Sequence, residues 1–205
     1  MKLYYSDVLM PRKVCAVAKY LKAPVAFTYL DLAKREHKAP DYLKLNPNGK
    51  VPTLVDGDRV IWEADAILYT LARKTNSDLW PTDDRQADVI RWLSWNAYHF
   101  DPAASGFYFE HVIKARFNSG PPDPAEIERL TAAFHQFAPT LEDHLKSRKW
   151  LLGDTLTVAD FSVAITLPYA EKAHIPLHDY PQIRRWHDQL NELDAWRNPF
   201  PQQYA

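Results

Sequence analysis

Val51-Pro52, just ahead of the run Thr53-Leu54-Val55, is the part of the chain best suited to do chemistry with its backbone. Proline has no N–H for a sheet ladder and sits at an edge or a bend, and X-Pro is the linkage that adopts the cis form at low cost. A cis bend here is expected to turn the N–H and C=O of Val51 outward, as an edge on which a small peptide could pair like an added strand. Charged and hydroxyl side chains flank it in sequence: His37, Lys38 and Lys50 before it, Glu63 and Asp65 after it, and Tyr4, Tyr5 and Ser6 near the start of the chain. Each has an ordinary role when taken alone. Glu63 and Asp65 favour a helix N-terminus, the lysines solvate, Tyr4 and Tyr5 pack in a strand, and Ser6 suits a turn.

Positioning these residues requires short strands alternating with helices, the pattern of a small α/β domain. Lys2 to Tyr5 reads as a strand, and Pro11 suits the first turn of a helix running to about Leu21. Val25 to Asp31 reads as a second strand and Pro40 to Leu45 as a short helix. Asp56-Gly57 is a tight-hairpin pair between Thr53-Leu54-Val55 and Val60-Ile61-Trp62. Ala64 to Lys74 has helical spacing.

Beyond Leu79-Trp80-Pro81-Thr82-Asp83-Asp84, an expected linker, the pattern is helical. Trp92, Trp95 and His99 share a face, as do Ile127, Leu130, Phe134 and Phe137, and Ile183, Trp186 and Leu190. Gly120 to Pro124 separates two long helices. Thr157-x-x-Asp160 is a capping-box pair with a structural role.

The 205 residues carry a net charge of −1, which argues against a nucleic-acid or polybasic membrane footprint. No apolar run approaches the roughly 20 residues of a membrane span, and no secretory signal is visible. Seven tryptophans and eleven tyrosines against five glycines describe a packed globular chain, not a disordered one. The single cysteine, Cys15, cannot form an internal disulfide, which suits a reducing cytoplasm.

The run Glu36-His37-Lys38-Ala39-Pro40-Asp41-Tyr42-Leu43-Lys44-Leu45-Asn46-Pro47-Asn48-Gly49-Lys50-Val51-Pro52, continued by Asp56-Gly57, Glu63 and Ala66-Ile67, resembles the thiol-peptide site of the glutathione S-transferases, closest to their phi and beta classes. Gly153-Asp154-Thr155-Leu156-Thr157-Val158-Ala159-Asp160 resembles their second signature. The resemblance implies an α/β plus all-α chain: a thioredoxin-like domain at 1–76, a linker at 77–84 and an all-helical domain at 85–205. It also implies glutathione as co-substrate, thiolate attack on an apolar electrophile held between the domains, and a two-fold homodimer.

Carried over residue by residue, the resemblance gives Val51 and Pro52 to the cysteinyl backbone. The amides of Ala64 and Asp65 go to the γ-glutamyl carboxylate, Glu63 to its ammonium, and His37, Lys38 and Lys50 to the glycine carboxylate. Ala64 departs from the family's usual serine, and losing that charge-assisted bond costs about 1.5–3 kcal/mol, or roughly ten- to a hundredfold in affinity.

The thiol activator also departs. In the family it is a tyrosine ending the first strand, or a serine or cysteine in the next loop or first turn. Aligned back from Arg12-Lys13-Val14 the serine falls on Val8, and aligned forward from the first strand the cysteine falls on Met10; neither donates a hydrogen bond. Ser6 is the first candidate and Tyr5 the second. Cys15 reads as core and Arg12 as a solvated surface charge. An alternative reading of the same departures is a glutathione-binding or interaction protein without catalysis.

Other constellations carry little. His174 and His178 have the i, i+4 spacing of paired metal ligands, but Pro176 lies between them, and no metal site is expected. Absence of Cys-x-x-Cys argues against dithiol redox chemistry. Trp95, Tyr98, Phe100, Phe107, Tyr108 and Phe109 form an aromatic cluster of which about two are expected to meet a hydrophobic substrate, the rest being core.

Overall fold

The computed structural model describes residues 1–201. They form two compact units: residues 1–81 joined by residues 193–201, and Thr82–Glu192.

In the first unit the elements run β1 (Lys2–Tyr5), α1 (Leu9–Tyr20), β2 (Ala26–Tyr29), a 3-10 turn (Glu36–Lys38), α2 (Pro40–Leu45), β3 (Thr53–Asp56), β4 (Arg59–Trp62) and α3 (Ala64–Lys74). The sheet order is β2-β1-β3-β4, with β1 and β2 parallel and both other pairs antiparallel. This is the expected thioredoxin-like arrangement. A parallel pair needs a crossover, which α1 supplies.

Leu3 and Leu54 from the sheet, Val14 and Val17 from α1, and Ile67, Leu68 and Leu71 from α3 are fully buried. Burying a side chain of this size is worth about 1.5–3 kcal/mol. Cys15 lies in this core, and burial pushes its thiol far above the ordinary range. In the β3–β4 hairpin Asp56 pairs with Arg59, so the turn residues are Gly57 and Asp58, and Gly57 takes the positive φ of 59°.

The last short helix, α10 (Asp194–Arg197), packs on α1 within the first unit. Arg12 Nη2 donates to the Trp196 carbonyl at 2.5 Å and its guanidinium lies 5.2 Å from that ring's centre. Lys19 pairs with Asp194 at 2.7 Å, and Phe200 stacks on Tyr5. Two expectations are thereby corrected. Arg12 is buried, not solvated, because a distant carbonyl and an aromatic face replace its water, and the helical unit stops at Glu192 instead of reaching the C-terminus. The expected linker 77–84 also divides differently. Leu79, Trp80 and Pro81 are buried in the first unit, with Trp80 edge-on to Tyr69 at 5.0 Å.

The second unit contains α4 (Arg85–Trp95), α5 (Asp101–Tyr108), α6 (Lys114–Arg116), α7 (Pro124–Leu145), α8 (Val158–Val163) and α9 (Pro181–Asn191). One-turn π segments, Asn96–Phe100 and Phe109–Ile113, interrupt the run from α4 to α6. Such a turn adds a residue and re-aims the helix beyond it. His99 consequently leaves the face it was expected to share with Trp92, and it is exposed, stacked on Phe137.

Phe100, Phe107, Leu130, Phe134, Phe161, Ile183 and Trp186 fill the core of this unit. At its centre Asp160 is fully buried. Its carboxylate accepts from the amides of Leu151 and Thr157, from Trp186 Nε1, and from the Thr157 hydroxyl. Burial nevertheless pushes it up to about 6. The capping pair is thus structural, as expected. Among the described residues no helix is long and apolar enough to cross a membrane.

Candidate functional site

The β-sheet register brings the expected binding residues to one end of the first unit. Thr53 pairs with both Tyr4 and Trp62, so Val51-Pro52 before β3, Tyr5-Ser6 at the end of β1 and Glu63-Ala64 after β4 lie at the same edge. The Val51–Pro52 bond is cis, as expected. Among the described residues neither the N–H nor the C=O of Val51 has a hydrogen-bond partner, and Val51 is half-buried.

A closed network sets the face that this loop presents. Tyr42 donates its hydroxyl to the Lys50 carbonyl at 2.5 Å, and Asn46 Nδ2 donates to the same oxygen at 2.9 Å. Asn46 also donates to Thr53 Oγ1 at 3.1 Å, and the Thr53 and Tyr42 hydroxyls are 2.7 Å apart. With the Tyr42 proton committed to Lys50, Thr53 must donate to Tyr42. Asn46 and Thr53 are almost fully buried. The Lys50 carbonyl therefore faces inward with two donors, leaving the next peptide group to face out. Sequence reasoning missed Tyr42, Asn46 and Thr53 as the residues that hold the loop.

Gly49 is needed beside it. Its φ is +55°, and an added Cβ would lie 2.6 Å from Lys38 Nζ and 3.0 Å from Leu43 Cδ2. Lys38 crosses this glycine and donates to the Asn48 carbonyl at 3.2 Å. His37 is half-buried with an unpartnered, buried Nδ1. Desolvation, then Lys38, Arg35 and Lys50, lower its pKa. Lys50 is exposed. Lys38 and Lys50 make this the positive end of the site, with His37 beside them as a neutral imidazole.

At the other end α3 begins at Ala64, which is nearly buried, and Glu63 before it is exposed at φ 70°. The Ala64 amide has no partner among the described residues, as a first-turn N–H of a helix should not. Asp65, expected as a helix-terminal charge, pairs with the buried Lys13 ammonium at 2.6 Å.

The loop leading into α1 begins at two buried hydroxyl residues. Ser6 is fully buried, and its hydroxyl contacts Asp7 Oδ1 at 3.4 Å, the long limit of a hydrogen bond. Tyr29 donates to the same oxygen at 3.2 Å. Tyr5 is 3 % exposed, its ring enclosed by Phe27, Tyr29 and Phe200. Val8 is the N-cap of α1 and offers no side-chain cap, so the amides of Leu9 and Met10 form its open first turn. In the second unit Phe100, Phe107 and Tyr108 are core, whereas Tyr98 and Phe109 are 80 % and 50 % exposed.

Residues 1–73 match the family description "Glutathione S-transferase, N-terminal domain" and residues 124–189 "Glutathione S-transferase, C-terminal domain". A probable glutathione S-transferase of Oryza sativa subsp. japonica is 35% identical over 191 residues, covering 91% of this chain and 89% of that protein. A solved glutathione transferase from Phanerochaete chrysosporium, in complex with oxidized glutathione, is 28% identical, with a TM-score of 0.82 over 97% of this chain and 93% of that one. A glutathione transferase from Populus trichocarpa, 24% identical, shares the fold at a TM-score of 0.88, over 97% and 96% of the two chains.

Proposed function

The chain belongs to the glutathione S-transferase family, and from that premise we propose that it binds glutathione along Val51 and presents the thiolate to an electrophilic carbon of an apolar substrate. The observation that carries this reading is the unpartnered Val51 peptide edge between a positive cluster and the start of α3. A tripeptide with a carboxylate at each end and a peptide unit in its middle matches that order of groups. Val51 pairs with the cysteinyl backbone, and Pro52 fixes the entry of β3. The α3 amides at Ala64 and Asp65 take the γ-glutamyl carboxylate, Glu63 its ammonium, and His37, Lys38 and Lys50 the glycine carboxylate.

Holding the thiol ionised at neutral pH, against a free value near 8.5, takes a donor aimed at sulfur. Ser6 is the proposed donor, because among the described residues its hydroxyl makes only the long contact to Asp7, and little is lost when it turns to a thiolate. A hydrogen bond to a charged group supplies about 1.5–3 kcal/mol, and the α1 N-terminus adds about 0.3–1 kcal/mol. Tyr5 is the second candidate, with its enclosed ring against it. The thiol proton passes to water on binding, the thiolate's electron pair then forms the S–C bond, and the leaving group departs with the electron pair of the bond that breaks.

The exposed Tyr98 and Phe109 favour an aromatic or aliphatic electrophile. Family resemblance supports a two-fold homodimer, and Trp62 and Tyr69, each more than two-fifths exposed on the first unit, offer apolar surface for it. A cytoplasmic location fits the lone reduced cysteine. Calorimetric titration with glutathione, combined with ultraviolet difference spectra across pH, tests the reading. Saturable binding with a thiolate band near neutrality supports a transferase. Binding without the band indicates a carrier of the peptide, and no binding indicates an interaction domain.

A further inference from the structure

Two histidines far apart in sequence meet in the second unit. His111 lies in the π-turn Phe109–Ile113 and His174 in the loop before α9; their ring centres are 4.6 Å apart and their planes inclined at 59°. His174 is held at φ 55°, a left-handed conformation uncommon outside glycine. Neither imidazole has a hydrogen-bond or ion-pair partner among the described residues, so the lone pairs are uncommitted. Burial and the neighbouring His174 lower the pKa of His111, which keeps it in the neutral, ligating form at pH 7. Glu110 is already committed, accepting from Lys114 Nζ at 2.5 Å and from the Asp123 amide at 2.7 Å. Among the described residues no set of three or more His, Cys, Asp or Glu could hold a metal, so a site here has two protein ligands.

The ring separation sets the angle that the two imidazoles would subtend at an ion bound by a nitrogen of each. An imidazole nitrogen binds at about 2.0–2.1 Å, which places the ring centre about 3.2 Å from the ion. Ring centres 4.6 Å apart then subtend about 90° at the ion, the cis angle of a square-planar or tetragonal site. A tetrahedral ion would need ring centres about 5.2 Å apart.

We propose that His111 and His174 form a two-imidazole site for a divalent first-row transition ion of tetragonal preference, Cu²⁺ before Ni²⁺ and Zn²⁺, with water completing the coordination. This site is independent of the glutathione reading.

Copper(II) chloride and nickel(II) chloride are titrated into the full chain by calorimetry in a non-coordinating buffer without glutathione. His111→Ala and His174→Ala are each expected to weaken binding roughly tenfold or more, and His178→Ala, at an exposed histidine paired with Asp179 at 3.0 Å, to leave it unchanged. Unchanged affinity in either of the first two variants, or an equal loss in His178→Ala, overturns the proposal. If a variant fails to fold by circular dichroism, crystals of the unaltered protein soaked in copper(II) chloride decide. Anomalous density between the two rings supports the site, and density only elsewhere overturns it.

Discussion

The Tyr42 hydroxyl donates to the Lys50 carbonyl at 2.5 Å, and through that bond a short helix sets the direction of the next peptide group. Tyr42→Phe removes this donor and the acceptor for Thr53, leaving Asn46 alone on Lys50. Stability should fall by about 1–2 kcal/mol in denaturant titration. Glutathione affinity should fall several-fold with it in calorimetry. Lost stability with unchanged affinity would show that Tyr42 holds the loop without orienting Val51.

Ala64 begins α3, and in the proposed docking it stands where a hydroxyl would meet the γ-glutamyl carboxylate. Ala64→Ser adds one small oxygen at this nearly buried position, and it should tighten glutathione by roughly tenfold or more. Calorimetry reads the change directly. An affinity left unchanged would mean that the carboxylate does not reach this helix end.

Ser6→Ala should raise the apparent pKa of the bound glutathione thiol by about one to two units and lower the rate near neutrality accordingly. Tyr5→Phe should leave that pKa in place, since the Tyr5 ring is enclosed by Phe27, Tyr29 and Phe200. Spectroscopic titration of the thiolate distinguishes them. Turnover kept in Ser6→Ala and abolished in Tyr5→Phe would reverse the assignment.

Asp160 titrates at about 6 in the fold, above the roughly 3.9 of an unfolded aspartate. Between these values the folded state holds the proton more tightly, so this group's contribution is fully present below about pH 4 and is lost as pH rises through about 6, by about 3 kcal/mol in all. Asp160→Asn removes this dependence. It also points an amide donor at the Thr157 N–H and should destabilise at every pH. The comparison is made by denaturation of both proteins from pH 4 to 7. Parallel stability curves would contradict the buried-carboxyl account.

The backbone features read from local sequence are found where local rules apply. Pro52, the hairpin and the α3 boundaries depend on neighbours in the chain, and the structure has all three, with the expected Asp56-Gly57 turn shifted by one residue to Gly57-Asp58. What the sequence could not show depends on distant partners. Arg12 is buried because a carbonyl 184 residues away accepts from it, and Tyr42, Asn46 and Thr53 join across a loop with no periodic signal. The π-turns leave no mark in a 3.6-residue pattern, so the exposure of His99 and the meeting of His111 with His174 were illegible. Hydroxyl residues near α1 were visible as candidates, but the burial of Ser6 and Tyr5 depends on packing that no spacing shows.

A crystal structure with glutathione bound is the most direct test of the docking edge. The N–H and C=O of Val51 should each lie about 2.7–3.2 Å from the cysteinyl backbone, with the γ-glutamyl carboxylate over the first turn of α3. Tripeptide density lying elsewhere, with both Val51 groups left to water, would contradict docking along this edge.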